Sequence, residues 1–161
     1  MVGITLAVAA VFAYLWWEYR SEENTRREIE EVATDFTRAL TDFSAETIEE
    51  DVREIKSFAV GSFSDEVDTF FGDETVAAVK EAEATSDGEI EGLYVQHIGE
   101  TSASVFVLVS ETVSNAAVTE PQTDTLRIEV DLIETTGGWK VENVQILQAP
   151  GGGLLGRTGA G

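Results

Sequence analysis

Four side chains in the C-terminal half of the chain have the types that acid–base catalysis uses: Tyr94, His97, Glu129 and Asp131. A tyrosine donor, an imidazole and carboxylates move protons in catalysis only where they converge on one reacting group. Tyr94 and His97 differ in parity along one predicted strand, so we expect them on opposite faces of its sheet. Glu129 and Asp131 alternate with apolar residues and are expected to face solvent. The sequence therefore predicts no convergent catalytic site and a protein that is not an enzyme.

Two runs of carboxylates could in principle chelate calcium: Glu49-Glu50-Asp51 and Asp65-Glu66. Neither run has the loop spacing or the glycine of a calcium-binding loop, so we interpret both as solvated helix faces. The chain has no cysteine, and its single histidine is His97. That composition excludes thiolate metal sites and sites that need two imidazole ligands. No metal and no cofactor are expected.

The chain is strongly acidic, because 31 Asp and Glu residues against 10 Lys and Arg residues give a net charge of −21. A nucleic-acid-binding protein needs a basic face that displaces counterions from phosphates, and this sequence has no basic cluster. Nucleic acid is therefore excluded as a partner. Anionic lipid headgroups would repel the acidic domain for the same reason. We interpret the acidity as a solubility feature, and a dedicated acidic docking face is the alternative.

The first half of the chain has the three- and four-residue periodicity of amphipathic helices. A long helix is predicted over residues 18–43, and one apolar stripe runs along it. A second helix is predicted to begin at Ser44 as its N-cap, followed by short helices over 62–71 and 74–84. The apolar stripe of the long helix comprises Ile29, Val32, Ala33, Phe36, Ala39, Leu40 and Phe43.

From residue 88 onward the period changes to the two-residue alternation of β-strands. Strands are predicted over residues 89–98, 103–113, 126–132 and 139–146. An antiparallel meander of this kind curls around the long helix and buries one face against its stripe. The predicted fold is an α+β roll of helices on a curved four-stranded antiparallel sheet, of the cystatin-like or nuclear transport factor 2-like type. That superfold carries enzymes and binding modules alike, so it does not decide function.

Two features of the last hairpin determine its register. Gly137-Gly138 predicts a type I′ turn, because both central residues of that turn need positive φ. Trp139 and Val141 share one face, whereas the apolar residues after them are out of phase, so we expect a bulge near Glu142-Asn143. Trp139 is interpreted as an aromatic residue that seals the core beside the hairpin.

The N-terminal segment is a candidate membrane anchor, because residues 2–17 are apolar except for Thr5 and carry no charge. A helix of that length spans about 24 Å, slightly less than a hydrocarbon core of about 30 Å. A cleaved signal peptide and a buried core helix are the alternatives. The predicted membrane residues are an aromatic belt and one small-residue helical face, namely Tyr14, Trp16 and Trp17, and Gly3, Ala7 and Ala10.

The predicted layout has four parts: a transmembrane anchor at 1–19, a helical stalk at 20–28, the roll domain at 29–148 and a flexible glycine-rich tail at 149–161. Three arginines follow the anchor: Arg20, Arg26 and Arg27. Applied literally, the positive-inside rule would keep the domain in the cytoplasm. The apolar run begins so near residue 1 that we expect a longer basic leader to precede it.

Two motifs in the C-terminal half are specific by their length: VSETVSNAA at 109–117 and GGWKVENV at 137–144. Shorter stretches precede or separate them, namely Leu40-Thr41-Asp42-Phe43, Glu50-Asp51-Val52, Gly61-Ser62-Phe63-Ser64-Asp65-Glu66 and Glu120-Pro121-Gln122. In this order and spacing, the motifs resemble the mammalian-cell-entry (Mce) associated membrane proteins of actinobacteria. The resemblance covers residues 30–147.

The resemblance implies a single-pass protein of the cell (inner) membrane, anchored in the bilayer by its N-terminal helix, with the roll domain on the extracytoplasmic side. It implies a non-catalytic accessory or scaffold subunit of an Mce-type complex that imports lipids or sterols, with Mce or permease subunits as partners. The sequence departs from the family pattern at its N-terminus, where the usual basic cytoplasmic leader is absent. That departure affects the expected orientation of the chain in the membrane and not the expected fold.

Three other functions remain open on the residues alone. The roll could bind a lipid or another small molecule in its cone-shaped interior, or it could be an assembly factor like the inner-membrane roll proteins of secretion machines. The third alternative is an isomerase- or dehydratase-like enzyme, which the missing acid–base constellation disfavours. A large apolar cavity at the mouth of the cone would favour binding, and a cone filled by side chains would favour a scaffold.

Overall fold

The computed structural model describes residues 2–117 and 120–148, with side chains described for 22–117 and 120–147. These residues form four helices: α1 (Val2–Thr41), α2 (Ile48–Phe58), α3 (Gly61–Phe70) and α4 (Asp73–Glu81). They also form five strands: β1 (Phe43–Ser44), β2 (Thr85–Ile98), β3 (Ser102–Ser114), β4 (Gln122–Thr135) and β5 (Gly138–Gln148). The predicted order of helices followed by strands is confirmed, with one short strand inserted early.

The sheet is antiparallel throughout, in the order β1-β2-β3-β4-β5. The prediction of four strands was wrong, because Phe43 and Ser44 form a two-residue strand that pairs with Ser86 and Thr85. The predicted N-cap at Ser44 was wrong for the same reason: its backbone belongs to β1, and α2 begins only at Ile48. Two residues are too few to show a period, so this strand leaves no signal in the sequence.

The apolar stripe of α1 covers the concave face of the sheet, as predicted. Ile29, Ala33 and Phe36 are each 0% exposed. Along β3 and β4, the inward side chains are also buried, which confirms the alternation expected for 126–132. The buried strand residues are Ala103, Val105, Val107, Val109, Leu126, Ile128, Val130 and Leu132. Helix and sheet thus enclose a single apolar core.

Helix α1 and strand β2 approach each other closely at Gly88. A Cβ atom on Gly88 would lie 2.1 Å from the Thr41 hydroxyl oxygen, so a larger residue does not fit here. The Gly88 N–H donates to Asp42 Oδ1 at 2.8 Å. The buried Thr41 hydroxyl donates to the Thr37 carbonyl at 2.9 Å, which satisfies it inside the core. Glycine therefore allows the end of the helix to seat on the sheet.

The last hairpin confirms one register prediction and corrects another. Asp131 pairs with Asn143 and Leu132 with Val141, so Glu142 is the extra residue of a bulge, as expected. Only Gly138 of the glycine pair has positive φ, at 96°. The predicted type I′ turn was therefore wrong, since that turn needs two such residues.

The N-terminal part of α1 carries the predicted anchor and stalk. The helix continues through both without a break. None of the described helices combines the length and apolar content that a membrane crossing requires. The predicted membrane residues lie where side chains are not described: Gly3, Ala7, Ala10, Tyr14, Trp16 and Trp17. The predicted tail, 149–161, lies outside the described residues.

Candidate functional site

The centre of the roll is filled by side chains. Phe36 from α1 is 0% exposed and contacts Phe58 and Phe63 edge to face, with ring centroids 5.9 and 5.8 Å apart. Trp139 closes the core beside the hairpin at 5% exposure, which confirms its predicted place. Aromatic packing of this kind stabilises a fold and leaves no room for a ligand at that point.

The acid–base candidates of β2 lie on one face of the sheet. Tyr94 pairs with Phe106 and His97 pairs with Ser104, and these two partners are two residues apart in β3. The predicted separation of Tyr94 and His97 onto opposite faces was wrong, because a register shift at Gln96 changes the parity between them. Both side chains are exposed on the outer face of the sheet, away from the core.

The two carboxylates of β4 lie on that same outer face, as predicted, and are half-buried. Ser104 Oγ donates to Glu129 Oε1 at 3.2 Å, and Asn143 Nδ2 donates to Asp131 Oδ2 at 3.0 Å. His97 and Asp131 are two strands apart, which separates their backbones by about 9–10 Å. The four groups therefore sit on an open surface without converging on one point.

The first carboxylate run, Glu49-Glu50-Asp51, forms contacts within the protein. Lys80 Nζ contacts Glu49 Oε1 at 2.5 Å, and this hydrogen bond and charge lower the pKa of Glu49. Asp51 Oδ2 accepts from the Thr47 hydroxyl at 2.8 Å at the start of α2. Within the described ranges, no group of three or more His, Asp or Glu side chains is arranged to hold a metal ion.

His97 also borders a polar groove of about 670 Å³ at one end of the roll. The groove lies between α1, through Glu22 and Arg26, and the β2–β3 connection, through Glu100. Glu134 from β4 completes its acidic lining. Carboxylates outnumber the basic groups here, so the groove favours cations over anions.

A second, apolar groove of about 260 Å³ lies between α3 and β5, and we call it the apolar groove. Helix α3 contributes side chains at its three- and four-residue spacing, and the bulge at Glu142 returns the end of β5 to the inward face. The lining residues are Leu40, Phe63, Glu66, Val67, Phe70, Phe71, Val144 and Ile146. No local sequence pattern indicates this surface, although the bulge that builds it was predicted.

An acidic ledge adjoins the apolar groove, and we call it the acidic shelf. It is lined by Asp65, Glu66, Thr69, Phe70 and Thr75. Glu66 and Phe70 line both features, so the groove and the shelf form one continuous surface. The second carboxylate run of the sequence thus borders an apolar depression and is not merely a solvated helix face.

One carboxylate that was not among the predicted site residues, Glu111, is buried inside the roll. Glu111 is 1% exposed and lies at the inward phase of β3, where its Oε1 accepts from Ser86 Oγ at 3.0 Å. Its Oε2 has no hydrogen-bond partner among the described residues. Burial, together with the charge of Asp124 across the strand pair, raises the pKa of Glu111.

Comparison with known proteins gives one family match. A family model described as "Uncharacterized protein Rv1363c/MT1408-like" matches residues 1–148. No curated protein sequence matches the chain. The family description assigns no activity, so the sites described above are the basis for a functional argument.

Solved structures share the fold at low sequence identity. The VirB8 protein of Agrobacterium tumefaciens is 12% identical, with a TM-score of 0.63 over 81% of this chain and 96% of that one. An IcmL-like type IV secretion system protein of Legionella pneumophila is 12% identical, with a TM-score of 0.61 over 79% and 96%. A nuclear transport factor 2-like protein of Salmonella enterica is 12% identical, with a TM-score of 0.57 over 87% and 99%. The predicted nuclear transport factor 2-like roll is confirmed.

Proposed function

This chain belongs to the family described as "Uncharacterized protein Rv1363c/MT1408-like", and we propose that it is a non-catalytic accessory or scaffold subunit of a cell-envelope complex. The observation that carries the proposal is the combination of a filled roll with an apolar groove on its outside. A filled interior supports a role in protein contacts over ligand binding inside the cone.

A role without catalysis is supported by the positions of the acid–base candidates. Tyr94, His97, Glu129 and Asp131 lie on the open outer face, where water has free access. Enzymes commonly perform acid–base chemistry in a site that excludes water and holds the reacting groups within hydrogen-bond reach. Glu111 has a raised pKa, as many catalytic acids do, but it is 1% exposed, so a substrate in solution does not reach its carboxylate.

More specifically, we propose that the complex is an Mce-type importer of lipids or sterols, with Mce or permease subunits as partners. The motif resemblance at 109–117 and 137–144 supports this proposal. Membrane attachment through residues 1–19, with 20–28 as a stalk, 29–148 as the extracytoplasmic roll domain and 149–161 as a tail, belongs to the same proposal. The apolar, uncharged run at residues 2–17 supports this attachment.

A second candidate is an assembly factor of an inner-membrane secretion machine. The fold similarity to an IcmL-like type IV secretion system protein favours it. Both candidates act through protein contacts, and they differ in the identity of the partner complex. A lipid-binding module is the third candidate, and the filled cone disfavours it.

The test is recovery of partners from membranes of the native host. Full-length tagged chain should stay in the membrane fraction after an alkaline wash and co-purify with Mce or permease subunits after detergent extraction. A variant lacking residues 1–19 should be released from the membrane. Co-purification of secretion-machine subunits instead of Mce or permease subunits would favour the second candidate. Recovery of a specific lipid without any protein partner would contradict the scaffold proposal, and a full chain that is released by the wash would contradict the anchor.

A further inference from the structure

We propose that the apolar groove and the acidic shelf together dock a protein segment in which closely spaced apolar side chains are flanked by lysine or arginine. The inference rests on the proposed scaffold function and adds the chemistry of the partner. The surface lies between α3 and the edge strand β5, where two elements meet without covering all of their apolar side chains.

The size of the groove suits a side-chain anchor. Its volume is about 260 Å³, whereas pockets for whole small-molecule ligands usually measure about 300–1,000 Å³. Phe70, Val144 and Ile146 line it and remain half-buried, although they pack against the core. A partner that fills the groove with one or two apolar side chains would remove this surface from water, which is the driving force for docking.

The shelf determines the charge of the partner. Among the described residues, Asp65 and Glu66 form no ion pair, whereas the neighbouring Asp68 pairs with Lys56. A lysine or arginine beside the docked apolar residues would lie over these two carboxylates. The net charge of −21 extends the same preference to the approach of the partner. An anionic membrane surface has the opposite requirement and would be repelled.

The apolar groove and the acidic shelf are continuous, so the apolar and basic residues of a bound segment must follow one another directly. Glu66 and Phe70 line both the groove and the shelf, so no ridge separates the apolar contact from the charged one. A segment with apolar residues in the groove therefore carries its next residues directly onto the shelf. Apolar contact supplies affinity, and charge supplies selection among apolar segments.

The experiment uses three labelled synthetic peptides, with binding to the full chain measured by fluorescence polarisation. Lys-Lys-Leu-Val-Leu-Lys-Lys has both required features, Glu-Glu-Leu-Val-Leu-Glu-Glu has reversed flanks, and Lys-Lys-Ser-Gly-Ser-Lys-Lys lacks the apolar residues. We expect the first peptide to bind at least about tenfold more tightly than either of the others, since loss of a central anchor contact usually costs that much. Its affinity should also fall as salt rises, because exposed charges are screened.

Matched variants locate the binding on the chain. Ile146→Ser in the groove and Glu66→Lys on the shelf should each weaken binding of the first peptide about tenfold or more. Leu147→Ser, on the same strand but outside the groove lining, and Glu31→Lys, on an exposed face of α1, should change it less than about twofold. Equal losses of affinity in the test and control variants would mean that the peptide binds through the general acidity of the chain. That result would overturn the proposal.

Other occupants give distinct results. A chain that ends at Gln148 and binds the first peptide about tenfold more tightly would assign the groove to the chain's own C-terminal segment. A homodimer that dissociates on Ile146→Ser would assign it to a second copy, and binding of phosphatidylglycerol vesicles in preference to the peptide would assign it to a membrane. Each of these results overturns the proposal.

Co-purification separates this inference from the proposed function. The wild-type chain and the variants Ile146→Ser and Glu66→Lys could all co-purify equally well with the envelope complex. That result would contradict the docking role of the groove and leave the scaffold role intact. A wild-type chain that recovers no complex would remove the scaffold role, whatever the peptides show. Loss of the complex in both variants, with Leu147→Ser unaffected, is the result we expect.

Discussion

Ile128 in β4 and Ile146 in β5 are cross-strand partners on the same inward face of the sheet, yet they belong to different environments. Ile128 is 0% exposed within the apolar core. Ile146 is half-buried and lines the apolar groove beside α3. The two residues share type, strand geometry and facing direction, so the packing around each of them makes the difference.

The packing of the two regions explains why one is closed and the other open. Helix α1 packs its apolar stripe into the same core as the inward side chains of β3 and β4, and its Phe36 is fully buried there against Phe58 and Phe63. Helix α3 spans Gly61–Phe70 and leaves a depression between its Phe70 and the end of β5. Buried residues of the first kind stabilise the fold, and half-buried residues of the second kind are available for recognition.

The largest effect is expected in the closed core that Phe36 and Ile128 share. Phe36→Ala should lower the free energy of unfolding by about 3–5 kcal/mol and Ile128→Ala by about 2–5 kcal/mol, because both leave cavities in a packed core. Urea unfolding of the full chain, followed by circular dichroism, measures both. A loss below about 1 kcal/mol in either variant would place that residue outside the core and end the contrast with Ile146.

An intermediate effect is expected at Glu111, where a substitution should raise the free energy of unfolding. Its Oε2 has no partner among the described residues, and an unsatisfied buried polar group costs about 1–3 kcal/mol. Glu111→Gln removes the buried charge and keeps the acceptor that Ser86 uses. The amide nitrogen of glutamine takes the unpartnered position of Oε2, so the gain comes from removing the charge, and we expect the variant to be more stable than the wild type at pH 7 by about 1–2 kcal/mol.

The pH dependence of that effect follows from the raised pKa of Glu111. The folded state binds this proton more tightly than the unfolded state, whose Glu pKa is about 4.3. The contribution of Glu111 to stability is therefore most favourable below that pKa and declines as pH rises through the folded-state pKa. The stability advantage of Glu111→Gln over the wild type should therefore shrink between pH 7 and pH 4. An advantage independent of pH would exclude titration of Glu111 as its cause.

Local periodicity made much of the fold predictable. The stripe of α1, the alternation along 126–132 and the burial of Trp139 depend on neighbouring residues in the chain, and each was confirmed. The bulge at Glu142 was predictable because the apolar phase shifts within a few residues. Glu111 could also have been found, since it continues the inward phase of Val105, Val107 and Val109.

The features that were not predicted depend on contacts between residues far apart in the chain. The strand at Phe43-Ser44 exists because β2 lies beside it, and two residues have no period of their own. The register shift at Gln96 places Tyr94 and His97 on one face of the sheet, and nothing in the local alternation indicates that shift. The apolar groove joins residues from α1, α3 and β5, so it arises only from tertiary packing. The predictions for residues 1–19 remain predictions.

The smallest stability effect is expected at the groove, and it gives the comparison its sharpest test. Ile146→Ala removes the same atoms as Ile128→Ala from the same face of the same strand pair. Because Ile146 is half-buried and borders open space, its loss leaves little enclosed cavity, and we expect a cost of about 1 kcal/mol or less. The same urea unfolding assay measures it beside Ile128→Ala. A cost equal to that of Ile128→Ala would mean that the groove closes over Ile146 in solution, and its role would then be packing. A small cost, combined with weaker binding of the basic apolar peptide, would separate recognition from stability at two residues that face each other across one strand pair.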